Sequence, residues 1–399
     1  MIKICVIGLG YVGLPILINL SKKFNCLGYD INPKRVTELS NGKDIFNEVE
    51  KKILNKNKSI FTTSIRKLKN YNLFIVAVPT PIYNNKKPDL RHLNNVCNML
   101  SKILKTNDII IFESTVYPGI TNEFCIPILQ KKSKLTEGAD FFVGYSPERV
   151  NPGDSKHALK KINKILAYPH NHLKKKIIEI YSLVSKKLIL SNNIREAETA
   201  KVIENIQRDV NIGLINEIYL VCKKLKLDFN NVIDLASTKW NFLKFNPGLV
   251  GGHCLPVDPY YFAHISKKNN FETKITLAGR SINDAMTKAV KNEIIYEIRK
   301  NNMNKKKILI CGLSYKKDVA DLRNSLSLKI YNDLKKKYKK IKGYDPLIDS
   351  SYEKKYDLIN SKKEFLKFDI YILLTNHAVI EKNIKSLPKN KTIINLLGN

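Results

Sequence analysis

The chain has 399 residues, 43% of them hydrophobic, and a formal net charge of +33. It is long enough to bury two or three cores, and no apolar run approaches the roughly 20 residues that cross a bilayer. Only nine of the 69 basic residues are arginines, and the lysines are spread along the whole chain. Nucleic-acid readers cluster their charge and favour arginine for bidentate base contacts, so no nucleic-acid partner is expected.

In chain order, Met1–Val6 reads as a strand rather than a signal peptide, which makes a soluble, cytoplasmic protein without a membrane partner the expectation. The apolar run Ile2–Ile7, a glycine-rich turn and an amphipathic stretch to Lys23 begin a strand–turn–helix rhythm. Strands are predicted again at Cys26–Tyr29, Phe74–Val78, Ile109–Phe112 and Phe141–Tyr145, separated by helical lengths. The alternation predicts an α/β fold with a doubly wound, Rossmann-like domain over 1–193.

A long helical pattern runs from Ile194 to about Leu225. Its apolar residues (Val202, Ile203, Ile206, Val210, Leu214, Ile215, Ile218) cover more than one face, so it should be buried between two domains or two subunits. Proline-bearing loops from Thr238 to Pro259 and helices to about Asn301 complete a helical middle domain, 194–302. The strand rhythm restarts at Lys307–Gly312, and Gly343-Tyr344-Asp345 echoes Gly28-Tyr29-Asp30, which makes 303–399 a second, smaller Rossmann-like domain. Its turn, Gly312-Leu313-Ser314-Tyr315, lacks the later glycines and should not hold a pyrophosphate in the same way.

Gly8-x-Gly10-x-x-Gly13 follows a predicted strand and opens a predicted helix, and Asp30 ends the next strand. The first glycine permits a tight turn, the second lets phosphate approach the backbone and the third lets the helix pack on the sheet. Asp30 would accept hydrogen bonds from ribose hydroxyls and repel a 2′-phosphate, favouring NAD; Arg35 nearby could instead accommodate that phosphate. Ligands bind outside the carboxyl ends of such strands, where Pro79-Thr80-Pro81, Glu113-Ser114-Thr115 and Ser146-Pro147-Glu148-Arg149 stand.

Seven cysteines without a Cys-x-x-Cys pair argue against a disulfide framework and a zinc site, so no metal is expected. Six sit in apolar patterns; Cys254 sits in Pro247–Pro259, a stretch with three glycines and three prolines. A thiol in such a loop is accessible, and Asp258 follows it by four residues. Lys201 and Asn205, one helical turn apart, share a face beside Ala197, Ala200, Val202 and Ile203. A partly buried ammonium beside a carboxamide can stabilise an oxyanion. A thiolate that traps an aldehyde gives a thiohemiacetal, which surrenders a second hydride to become a thioester. The set therefore suits a four-electron oxidation of an alcohol to an acid.

These motifs together resemble the UDP-glucose/GDP-mannose 6-dehydrogenase family over nearly the whole chain. The resemblance is carried by Gly8-Leu9-Gly10-Tyr11-Val12-Gly13-Leu14-Pro15, Glu113-Ser114-Thr115-Val116, Lys201-Val202-Ile203-Glu204-Asn205 and Gly251-Gly252-His253-Cys254. It continues through Tyr315-Lys316-Lys317-Asp318 and Asp321-Leu322-Arg323-Asn324-Ser325. It implies Cys254 as nucleophile, Lys201 and Asn205 at the oxyanion, Asp258 orienting Lys201 or water, and Glu148 with Thr115 handling the hydrolytic water. It also implies Tyr11, Val12, Thr80 and Arg323 on the cofactor side. Arg149, Asn151, Gly251, Lys316 and Lys317 fall on the UDP-sugar side, and a homodimer forms through the central helix. Val257 stands where the UDP-glucose branch usually has lysine. With Ser146–Asp154 and Lys239-Trp240-Asn241-Phe242, this is similar to the UDP-N-acetylhexosamine branch, which makes uronates of UDP-GlcNAc or UDP-GalNAc for surface polysaccharides. Asn395-Leu396-Leu397 departs from the aspartate and basic residues of many relatives. UDP-glucose or UDP-ManNAc are alternative substrates. A two-electron hydroxyacid dehydrogenase, or a non-catalytic nucleotide-binding protein, would leave Cys254 without a role.

Overall fold

The computed structural model describes residues 2–46, 48–56, 61–149, 162–301, 303, 306–348, 352–359 and 361–397. The chain divides into two compact units: Met1–Glu204 with Tyr260–Asn270, and Asn205–Pro259 with Phe271–Asn399. The segment 194–302 contributes to both.

The first unit is built on eight strands: β1 (Lys3–Ile7), β2 (Asn25–Tyr29), β3 (Phe61–Thr62), β4 (Leu73–Val76), β5 (Ile109–Phe112), β6 (Phe142–Tyr145), β7 (Asn163–Ala167) and β8 (Lys187–Ser191). Their order is β3-β2-β1-β4-β5-β6-β7-β8. Runs such as Ile109–Phe112 are buried throughout, as strands covered on both faces must be. The register aligns Ile7 with Tyr29 and Val76, Val76 with Phe112, and Phe112 with Tyr145. One edge of the sheet therefore carries Gly8, Asp30, Ala77, Glu113 and Ser146 in a row. The order reverses between β1 and β4, the switch point at which such sheets open a crevice.

The alternation predicts a parallel sheet, and one pair departs from it: β6 and β7 pair antiparallel at Tyr145↔Ala167. β7 and β8 each carry one lysine, Lys164 second in β7 and Lys187 first in β8, which hides them from a search for apolar runs.

In the second unit, β9 (Ile308–Cys311), β10 (Ile341–Tyr344), β11 (Leu358–Ile359), β12 (Ile370–Leu373) and β13 (Thr392–Asn395) form a parallel sheet in the order β11-β10-β9-β12-β13. Met286, Val290, Ile294 and Ile298 on the helix Lys274–Lys300 share one core with Ile308, Ile310 and Tyr331. The helix Ile194–Leu225 is unbroken, about 48 Å long at 1.5 Å per residue. Its Gly213 faces Gly279 so closely that a β-carbon would fall 2.8 Å from the Gly279 carbonyl oxygen. The loop that the prolines predict as far as Pro259 ends earlier, because a helix begins at Asp258.

Candidate active site

In the first unit, Gly8 takes φ +91°, and a β-carbon there would meet the Ala77 carbonyl oxygen at 2.6 Å. At Gly13 it would lie 1.8 Å from the Gly8 oxygen, so strand and helix close up as only glycine allows. At Gly10 nothing lies within 4 Å, which leaves the open approach a pyrophosphate requires. Val12 is the N-cap position of the helix Gly13–Leu20, and the Tyr11 ring packs 4.7 Å from that of Phe46. Asp30 accepts from Leu9 N at 2.8 Å and from Asn32 N at 2.9 Å, which fixes its carboxylate at the end of β2. These residues fit the dinucleotide half-site that the glycines imply. Arg35 is turned inward: Nε donates to Leu9 O at 2.9 Å, and the guanidinium pairs with Asp44 at 2.9 Å over the Phe46 ring.

The Thr80 hydroxyl donates to Thr115 O at 2.5 Å, so two expected site residues from neighbouring strand ends meet. Glu148 lies three residues beyond β6, its Oε1 accepting from Arg149 N at 2.6 Å. The Arg149 guanidinium forks onto Glu204 (2.6 and 3.2 Å) and reaches Asn163 O. Asn151 lies outside the described residues. Lys201 is buried, 6% exposed.

Sequence patterns missed Glu198, one turn before Lys201 and wholly buried. It accepts from the Gly119 and Thr121 amides and the Thr121 hydroxyl, pinning the start of the long helix to the segment after Thr115. Burial pushes its pKa up against those three hydrogen bonds. Its only signal is its place among Ala197 and Ala200.

In the second unit, Cys254 is exposed while the other six cysteines are buried, all seven lying among the described residues. Burial pushes the Cys26 thiol up to about 12 and the Cys5 thiol higher still, so neither is a nucleophile. The Cys254 carbonyl accepts from Val257 N and Asp258 N, both at 2.9 Å, a turn that leads into the helix at Asp258. Asp258 in turn accepts from Asn205 Nδ2 at 2.6 Å.

The loop is clamped from two sides. Asn216 exchanges a pair of hydrogen bonds with the Gly248 backbone, and Arg280 reaches Leu255 O at 3.4 Å. Arg280 and Asn283 also hold Asp209, a buried polar cluster that a hydrophobic pattern cannot reveal. On the other side Asn324 bonds to both the N–H and the carbonyl of Gly252. A β-carbon on Gly251 would come 2.7 Å from Asn324 O. The two C-terminal motifs thus meet the cysteine loop. Arg323 forks onto Asp321 at 2.9–3.3 Å, Lys317 pairs with Glu381, and Lys316 is half-buried. In the second Rossmann-like turn, Asp345 Oδ2 takes the Leu313 and Ser314 amides and the Ser314 hydroxyl. Asp345 thus holds this turn through the Leu313 amide as Asp30 holds the first through that of Leu9, with Ser314 added.

No helix of the described residues is long and apolar enough to cross a membrane. The sequence matches the NAD binding domain of the UDP-glucose/GDP-mannose dehydrogenase family over residues 2–185, its central domain over 195–285 and its UDP binding domain over 309–397. It is 39% identical to the UDP-N-acetyl-D-glucosamine 6-dehydrogenase of Salmonella typhi, over 98% of this chain and 95% of the relative. It is 40% identical to the enzyme of that name from Pseudomonas aeruginosa, over 88% and 84%. The fold superposes on the UDP-D-ManNAc dehydrogenase of Pyrococcus horikoshii with a TM-score of 0.84 at 29% identity, covering 98% and 94%. A glycine cradle for a dinucleotide, an exposed cysteine in a clamped loop and three matching family domains agree: the chain belongs to the UDP-glucose/GDP-mannose dehydrogenase family and is an NAD-dependent UDP-sugar dehydrogenase.

Proposed function

We propose that the chain oxidises C6 of a UDP-N-acetylhexosamine, foremost UDP-N-acetylglucosamine, to the uronate through a covalent adduct on Cys254. The observation that carries this is the exposure of Cys254 alone among seven cysteines. The sugar is supported by relatives near 40% identity named for UDP-N-acetylglucosamine, against 30–32% for those named for UDP-N-acetylmannosamine.

Gly8, Gly10, Gly13 and Asp30 would hold NAD, two molecules of which, bound in succession, would each supply the capacity to take up one hydride. Cys254 adds as thiolate to the C6 aldehyde carbon and retains the sugar between oxidations. Lys201 and Asn205 stabilise the oxygen that turns negative when the thiolate adds. Glu148, with Thr115, takes a proton from the water that attacks the thioester; the C6–S bond breaks and Cys254 leaves as thiolate. Lys316, Lys317, Arg149, Asn151 and Gly251 are assigned to the UDP-sugar, and Tyr11, Val12, Thr80, Thr115, Arg35 and Arg323 to the cofactor side.

The active form is proposed to be a cytoplasmic homodimer joined along the long helix. Ile203, Leu214, Val221 and Leu225, spaced 11, 7 and 4 apart on one face, are 47–63% exposed in the single chain. The product would enter surface polysaccharide synthesis.

The test is to count NADH against limiting UDP-N-acetylglucosamine, its galacto and manno epimers and UDP-glucose. Two NADH per sugar, lost in Cys254→Ala, is the expected result, with UDP-N-acetylglucosamine the best substrate. One NADH per sugar, or an unaffected Cys254→Ala, would sink the thioester route.

A further inference from the structure

Lys164 is an ammonium in a place built for apolar side chains. It lies on β7 with 1% of its side chain exposed. Its Nζ stands 2.6 Å from Glu113 Oε2, 3.1 Å from Pro147 O, 3.4 Å from Ser146 O and 3.8 Å from Glu148 Oε2. A buried charge persists only where paired and hydrogen-bonded. Glu113 supplies the pairing, and the remaining donors go to the two carbonyls immediately before Glu148. We propose that Lys164 is a positioning residue for Glu148, fixing the strand end that bears it and supplying the positive charge its carboxylate works against. This rests on the assignment of Glu148 to water activation.

The surroundings of Glu148 make that cation consequential. Glu113, fully buried, and Glu48, whose carboxyl burial pushes up to about 7, both bear on it as like charges. The Arg149 amide donates to it, but the Arg149 guanidinium is engaged with Glu204. Burial would lower the Lys164 pKa; the Glu113 and Glu148 charges outweigh this and hold it above the ordinary lysine value. Without Lys164, the Ser146 and Pro147 carbonyls lose the donor that fixes them, and the Glu148 carboxylate loses the cation 3.8 Å away.

A buried ion pair can also be merely structural, and the pH profile separates the two roles. The full chain, with NAD and UDP-N-acetylglucosamine, is compared as wild type, Lys164→Met, Lys164→Arg, Glu148→Gln and the double variant Glu113→Gln/Lys164→Met. The double variant removes the pair as a neutral unit, so it keeps the fold where Lys164→Met alone strands Glu113. Acid-quenched intact mass reads the Cys254 adduct, and single turnovers at several pH values read its hydrolysis. In the double variant, hydrolysis should slow by about 100-fold with adduct accumulating, and in Lys164→Met, which keeps the Glu113 charge, the acid limb of hydrolysis should also move up in pH. Lys164→Arg should recover part of the rate. Wild-type hydrolysis in the double variant, with an unmoved acid limb in Lys164→Met, while Glu148→Gln is impaired, overturns the positioning role. Normal hydrolysis in Glu148→Gln removes the assignment beneath it, and the inference with it.

Discussion

The Asn205 carboxamide donates to the Asp258 carboxylate at 2.6 Å across 53 residues of sequence, with both side chains buried. A charge-assisted bond of this kind locks the amide rotamer. Asp258 therefore orients Asn205, the group assigned to the oxyanion, and Asp258→Asn should weaken that hold without changing shape. The expected loss in kcat is about 10- to 100-fold, with NAD affinity unchanged. Asn205→Ala should cost about as much, and the double variant little more than the worse single change. Fully additive losses would show that the two side chains act independently.

Gly252→Ala tests the clamp on the cysteine loop. Gly252 sits at φ +89°, and a β-carbon there would lie 2.7 Å from the Tyr315 ring. The backbone strain alone is about 1–2 kcal/mol. The unfolding midpoint should drop by a few degrees, and turnover should fall more than about 10-fold as the thiol moves off its mark. Alkylation of Cys254 by iodoacetamide would report the displacement directly; an unchanged rate and full turnover would mean that the loop does not depend on this contact.

Gly8, Gly13 and Cys254 stood out because each breaks a local rule, by positive φ, close approach, or a thiol outside an apolar pattern, and Asp30 by its place at the end of the second strand. The long helix and β1, β2, β4, β5 and β6 were legible from apolar periodicity, whereas the two-residue β3 was not. Lys164, Glu198, Asp209 and Arg280 were not. Each is a charged residue whose value depends on a partner 51 to 79 positions away, and in a chain with 69 basic residues one more lysine carries no signal. β7 escaped for the same reason, since its buried lysine interrupts the run that would have announced a strand.

Arg280→Met should expose the burden that Arg280 carries. Burial raises the Asp209 carboxyl to about 6 even with Arg280 and Asn283 pulling it down. A carboxyl raised in the folded state adds stability at low pH, and that contribution is lost as pH rises through the folded value. Removing the cation raises Asp209 further, so the deficit should be about 3–5 kcal/mol near pH 8 and shrink toward pH 5.5. Thermal unfolding of both proteins across that range measures it. A gap independent of pH would mean that Arg280 matters by packing rather than by charge.

Arg35 offers a last test, of cofactor choice. The Asp30 carboxylate, fixed by Leu9 N and Asn32 N, is the group proposed to repel a 2′-phosphate. Arg35 could welcome one, but Asp44 pairs with its guanidinium, Leu9 O takes its Nε, and Phe46 lies beneath it. Asp30→Ser alone should therefore weaken discrimination against NADP while leaving Arg35 held. Adding Asp44→Asn keeps an oxygen for the Glu48 and Val49 amides that Oδ2 now receives, gives up the acceptor of the Phe46 amide, and removes the charge that anchors Arg35. The double variant should use NADP about 10-fold better than Asp30→Ser, as judged by kcat/KM. If it uses NADP no better, Leu9 and Phe46 suffice to hold Arg35, and Asp44 has no part in excluding the phosphate.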